Sequence, residues 1–174
     1  ELRMRGTRIE VVPDILMNLA DANNRLGKLD IGAAWYRRAL LMCDSLHIAS
    51  TKKPPIYYGL AQVYVTMRDF EQCDYYYNLA GESYDNMLPY EKYIYLNNRG
   101  TSYYYREDYQ TAIKYFQKVI DLVEGYADMS FELNLGRLNL GDCYLQLNMV
   151  DLAVKYINEC QLFFEEMGVS TALY

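Results

Sequence analysis

LNNRGTSYYYREDYQTAIKYFQKV, residues 96–119, decides the fold. Leu96, Arg99, Gly100 and Tyr103 fall at i, i+3, i+4 and i+7, on one face of a helix. Ala112, Phe116 and Val119 mark a second helical face after a short polar turn. The stretch therefore predicts two amphipathic helices packed back to back.

The same pattern lies on both sides of it. Pro13 opens a first helix with Leu16, Leu19, Ala20 and Asn23 on its face. Gly27 breaks that helix, and a second starts near Leu29 with Gly32, Tyr36 and Ala39 on its inner stripe. Pro54 and Pro55 restart the pattern, with Tyr57, Leu60, Ala61 and Tyr64, a turn at Arg68 and Asp69, then Cys73, Tyr77 and Ala80. Pro89 precedes the quoted stretch, and Arg137, Leu140, Gly141 and Tyr144 with Ala153, Ile157 and Cys160 follow it. Each proline falls between units or in a first turn, where its missing N–H costs nothing.

The spacing is the strongest signal. Ala20 to Gly32, Ala61 to Cys73, Gly100 to Ala112 and Gly141 to Ala153 are each steps of 12 residues. Small residues let helices approach closely, so a constant step predicts one helix–turn–helix geometry used four times. The units repeat at intervals of 41, 39 and 41 residues. Their expected bounds are 13–53, 54–92, 93–133 and 134–168, with 1–12 the tail of a preceding element and 169–174 the start of a further helix.

These residues resemble the tetratricopeptide repeat family, whose signature has Leu-Gly, two spacers and Tyr, then Ala, three spacers and Phe. The match runs through Leu60-Ala61-x2-Tyr64 with Cys73-x3-Tyr77, Gly100-x2-Tyr103 with Ala112-x3-Phe116, and Leu140-Gly141-x2-Tyr144 with Ala153-x3-Ile157. It covers residues 13–168. The resemblance implies an all-α, right-handed superhelix of four helix–turn–helix repeats that binds protein segments. A period near 40 departs from the family's 34 and also suits HEAT-like repeats, against which the constant step and the Tyr and Phe positions argue. Long-period versions resemble those of bacterial regulatory and peptide-receptor proteins. Arg99 and Arg137 stand at apolar positions of the signature and are expected to snorkel or pair with an acid.

Composition narrows the function. Hydrophobic residues at 52% and charged residues at 23% describe an ordered chain. The 20 tyrosines predict many half-buried positions, since the ring packs while the hydroxyl stays wet. A net charge of −6 argues against nucleic-acid binding, which needs a basic face. With no run of 18 apolar residues and no signal peptide, no membrane span is expected and the cytoplasm is the expected compartment. The chain lacks an initiator Met and is expected to be part of a longer protein.

No catalytic or metal set is found. Cys43, Cys73, Cys143 and Cys160 lack ligand spacing, and His47 stands alone at the end of a long helix. The cysteines are read as small buried hydrophobes. Glu165 with Glu166 and Glu107 with Asp108 are adjacent and diverge on a helix. Tyr75–Tyr77 and Tyr103–Tyr105 cannot form one stacking platform, because neighbours point about 100° apart. No enzyme activity and no cofactor are expected.

What remains is the open face of the first helices, opposite the packing stripe. It carries Asn18, Asp21 and Arg25, then Tyr58 and Gln62, then Asn97, Asn98, Thr101 and Tyr105, then Leu138, Asn139 and Asp142. Asn18, Asn98 and Asn139 share one register, with Gly59 in the other unit. Asn donates and accepts together, so such a row either grips a peptide backbone or bonds neighbouring helices. Few cations lie on this face, so the family's clamp for acidic C-termini is not expected; a segment with neutral, aromatic or aliphatic side chains is. The alternative is self-association, with the segment a homo-oligomeric sensory part coupled to an output domain such as a transcription regulator or signalling enzyme.

Overall fold

The structure, a computed structural model, describes residues 11–47 and 52–168. They form eight α-helices and no strand. Residues 1–10 and 169–174 lie outside the described residues, and with them most of the expected leading tail and the further helix. The chain divides into two compact units, Glu1–Asn86 and Met87–Tyr174.

The first unit holds α1 (Val12–Arg25), α2 (Leu29–Ser45), α3 (Lys53–Thr66), α4 (Phe70–Gly81) and a 3-10 turn at Tyr84–Asn86. The second holds α5 (Pro89–Tyr105), α6 (Tyr109–Val123), a 3-10 turn at Ala127–Met129, α7 (Ser130–Gln146) and α8 (Val150–Glu166). Pro13, Pro54, Pro55 and Pro89 all sit in first turns. The sequence boundaries at 93 and 134 fall inside α5 and α7. Both helices begin one turn earlier than the repeated motif, because Pro89 and the 3-10 turn at Ala127–Met129 set their starts.

One local device explains the constant step of 12. The residue seven beyond each small residue (Gly27, Arg68, Glu107 and Asn148) has positive φ, between 57° and 73°. The next N–H, of Lys28, Asp69, Asp108 or Met149, donates back to the carbonyl of Asn23, Tyr64, Tyr103 or Tyr144 at 2.9–3.0 Å. The N–H of the positive-φ residue itself donates to the carbonyl three residues earlier. This pair of bonds is the Schellman ending, and all four first helices use it. The left-handed residue reverses the chain in a fixed number of residues, so the second helix always starts in the same place. Asp69 and Asp108 also cap the following helices, accepting from the N–H of Gln72 and Thr111 at 3.1 Å.

Only the first of these turns has glycine at the left-handed position. A side chain there costs about 1–2 kcal/mol, partly offset because glycine gains more unfolded-state freedom. Glu107→Gly is therefore expected to stabilise the protein by about 0.5–1 kcal/mol, and Gly27→Ala to destabilise it by a similar amount. Urea unfolding of both variants checks the two signs together.

Packing follows the small residues. A Cβ on Gly100 would lie 2.8 Å from the Phe116 ring, and one on Gly141 would lie 2.8 Å from Ile157 Cγ1. The partners are 16 residues apart in each case, as are Ala20 with Tyr36 and Ala61 with Tyr77, all four of which are buried. In the second unit Phe116 meets Ala112, Ile120, Leu140 and Cys143 in one core.

The tyrosines have a second repeated role, absent from the expectations above. Tyr64 stacks on Tyr76, Tyr103 on Tyr115 and Tyr144 on Tyr156, with centroids 5.4–5.7 Å apart and planes within 13° of parallel. The step is again 12 residues, and that periodicity was the available signal. Tyr103 is thus half-buried in a stack and not a full core residue.

Arginines dress these stacks. Arg37 donates to the Tyr64 hydroxyl, and Arg106 lies over the Tyr103 ring at 4.8 Å. Arg99 is only 7% exposed, and its Nε donates to the Tyr115 hydroxyl at 3.0 Å. A phenol is thus one of its partners, beside the expectation that it snorkels or pairs with an acid. Arg137 does meet an acid, Glu159, at 3.5 Å.

All four cysteines are buried free thiols, as expected. Burial, helped by the charge of Asp142, pushes the Cys143 thiol up to about 12, so it stays protonated and unreactive at neutral pH. His47 sits exposed beyond the end of α2 with φ 49°. Leu19, expected on the inner face of α1, is 41% exposed, whereas Leu16 and Ala20 beside it are buried.

Candidate functional site

Within each unit the first helices of successive repeats, α1 with α3 and α5 with α7, approach each other more closely than the second helices do. The residues assigned to the open face therefore lie along a seam between neighbouring helices. Some of them are consumed by that seam, and others are left to a ligand.

In the first unit Asn18, Asp21, Arg25 and Gln62 are exposed. Asp21 accepts a hydrogen bond from the buried Tyr36 hydroxyl. Burial, and then that bond, push the Tyr36 phenol well above its ordinary value. Asp14, on the same face, is ion-paired to Lys52 at 2.8 Å. Tyr58 departs from the expectation: it is 8% exposed and belongs to the core. Gly59 shows why this row cannot continue as asparagine, since a Cβ there would sit 2.2 Å from Cζ of Tyr36. A cleft of about 500 Å³ in this unit lies on α2, lined by Asp30, Ile31, Ala34, Trp35 and Arg38. None of the designated residues lines it.

In the second unit the designated residues converge. Thr101 and Tyr105 of α5 and Asn139 and Asp142 of α7 line one cleft of about 180 Å³, together with Tyr104 and Phe116. The seam above it is a chain of amides. Asn139 Nδ2 donates to Asn97 Oδ1 at 2.9 Å, and Asn97 Nδ2 reaches Asn98 Oδ1 at 3.5 Å, the outer limit of a hydrogen bond. Asn139 thus bridges the two helices through its amide nitrogen and also lines the cleft. Asn97, Asn98 and Leu138 are half-buried. Thr101 turns its hydroxyl to the Asn97 carbonyl at 2.9 Å.

The walls and charge of the cleft are specific. Tyr104 meets Tyr105 and Tyr109 edge to face, at 6.1 and 5.4 Å. Burial, and then the nearby Asp142 carboxylate, raise the Tyr104 phenol, while a hydrogen bond with Gln146 works the other way. Tyr105 is 53% exposed at the mouth. Asp142 is half-buried, and desolvation raises its carboxyl above the usual range. Among the described residues no donor hydrogen-bonds to it and no cation pairs with it. Tyr104 is a lining residue that the sequence analysis did not assign to the open face.

No group of three or more His, Cys, Asp and Glu among the described residues is placed to hold a metal. No helix among them is long and apolar enough to cross a membrane.

Comparison with known proteins agrees with this architecture. The tetratricopeptide repeat family matches residues 93–126 and again residues 136–162. No curated protein matches the chain. Among solved structures, the chain is similar to the crystal structure of BtubC (BKLC) from P. vanneervenii, with a TM-score of 0.79 at 22% identity. The likeness covers 92% of this chain and 66% of that one, just under two thirds of its length. At this identity it shows the fold, that of a helical repeat solenoid.

Proposed function

We propose, on the premise that this chain is a tetratricopeptide repeat protein, that the first-helix side of its units holds an extended segment of a partner protein. Repeats of this family are protein-interaction modules and are typically not catalytic. The observation that carries the reading is the cleft between α5 and α7. Four residues designated from the repeat pattern, Thr101, Tyr105, Asn139 and Asp142, meet there around one recess. A repeat surface used only for packing would bury these side chains against each other. Here the tyrosine at the mouth stays open, and the carboxylate is left without a donor among the described residues.

The chemistry of the face suits a peptide. Amides at Asn97, Asn98 and Asn139 offer donors and acceptors to a main chain. Tyr104 and Tyr105 supply rigid aromatic contact area. A cleft of about 180 Å³ is smaller than the roughly 300–1,000 Å³ usual for small-molecule and cofactor sites and suits one side chain. A random peptide display library panned against the protein tests the reading. Tyr105→Ala and Asn139→Ala are each expected to weaken selected peptides about tenfold or more, since central aromatic anchors and their polar neighbours dominate such interfaces. Full-strength binding by both folded variants overturns it.

A further inference from the structure

The Asp142 cleft has a chemistry that the count of charges along the face conceals. A half-buried carboxylate has lost part of its hydration and, among the described residues, has gained neither a hydrogen-bond donor nor a cation. Its carboxyl is held toward the neutral form by that desolvation alone. A site in this state gains most from a ligand that brings a positive charge and several N–H groups.

The surroundings narrow the choice. Tyr104 and Tyr105 of α5 line the recess together with Asp142, Tyr104 close enough to feel its charge, and the buried Phe116 lines it as well. Aromatic walls favour a flat, weakly hydrated guanidinium over a compact ammonium. Asn139 stands within the same recess and offers an amide to the incoming segment. The volume of about 180 Å³ admits a long side chain but not a second residue beside it. The protein's net charge of −6 favours approach by a basic segment.

We infer that the cleft between α5 and α7 takes a basic side chain of the bound segment, arginine in preference to lysine, with Asp142 as its counter-charge and Tyr104 and Tyr105 as its walls. This rests on the peptide-binding reading above. It replaces the expected neutral segment with one that carries a positive charge at one position.

Pools of acetylated, amidated octapeptides test it. One position is fixed as Arg, Lys, citrulline, Leu or Glu, and the rest are randomised without charged residues. Citrulline keeps the shape of arginine and removes the charge. The folded wild-type protein is expected to bind the Arg pool at least tenfold tighter than the citrulline pool and more tightly than the Lys pool. Asp142→Asn, which keeps the shape of the side chain, is expected to erase the Arg-over-citrulline ratio while leaving residual binding of the uncharged pools. Asp142→Lys is expected to shift preference toward Glu. If Arg and citrulline pools bind alike, or the ratio survives Asp142→Asn, the charge assignment is overturned and the peptide-binding reading stands. If no pool binds wild-type protein, both fall together.

Discussion

Phe116→Ala is expected to destabilise the second unit by about 3–5 kcal/mol. Phe116 is 2% exposed and sits among Ala112, Ile120, Leu140 and Cys143. Its ring lies against the backbone of Gly100, the small residue that lets α5 and α6 close on each other. Collapse cannot fill the space after truncation. Gly100 has no side chain to move in, and Ala112 contributes only a methyl group. The lost transfer energy and the residual cavity therefore add. Against a typical total of about 5–15 kcal/mol, this is a large fraction of the stability. Urea unfolding checks it through a lower midpoint. A loss below about 1 kcal/mol would mean that the ring is not the keystone of this repeat. Phe116 also lines the Asp142 cleft, so the same variant should lose peptide affinity even where it stays folded.

Gly59→Asn is expected to destabilise the first unit by about 1–3 kcal/mol or more, although the repeat pattern argues for the opposite. By register, an asparagine at this position would complete a row with Asn18, Asn98 and Asn139. Glycine inside a helix normally costs about 0.5–1 kcal/mol relative to alanine, so replacing it at an open site should help. The site is not open. A Cβ would stand 2.2 Å from Cζ of Tyr36, and that ring is buried and tied through its hydroxyl to Asp21. Either the ring leaves its rotamer and loses the bond to Asp21, or α3 moves off α2. The sign of the effect decides between the register argument and the packing argument. In a Tyr36→Leu background, with the ring and hydroxyl removed, the cost of Gly59→Asn should shrink. A penalty unchanged by that background would show that the obstruction lies elsewhere.

The two variants mark where sequence reading worked and where it stopped. Phe116 and Gly100 are paired by position alone, because a small residue and the bulk packed on it recur at a fixed spacing. Gly59 reads in sequence as a gap in a polar row, because nothing within its own helix says that Tyr36 of the preceding helix points at it. Tyr58 failed for the same reason: its register places it on the open face, and its neighbours bury it. Thr101, Tyr105, Asn139 and Asp142 follow from register and do line the cleft. That Asp142 lacks a donor among the described residues there was not legible.

The sequence by itself determined the local geometry. Prolines set helix starts, positive-φ residues at one recurring place set the reversals, and small residues at a 12-residue step set which faces close together. These depend on sterics within a few residues or on one repeated contact, so periodicity reports them. Tertiary structure alone decided which polar side chains stay available. Exposure, desolvation and the satisfaction of a hydrogen bond are properties of the helix alongside. The carboxylate of Asp142 and the hydroxyl of Tyr36 owe their states to residues that no spacing rule connects to them.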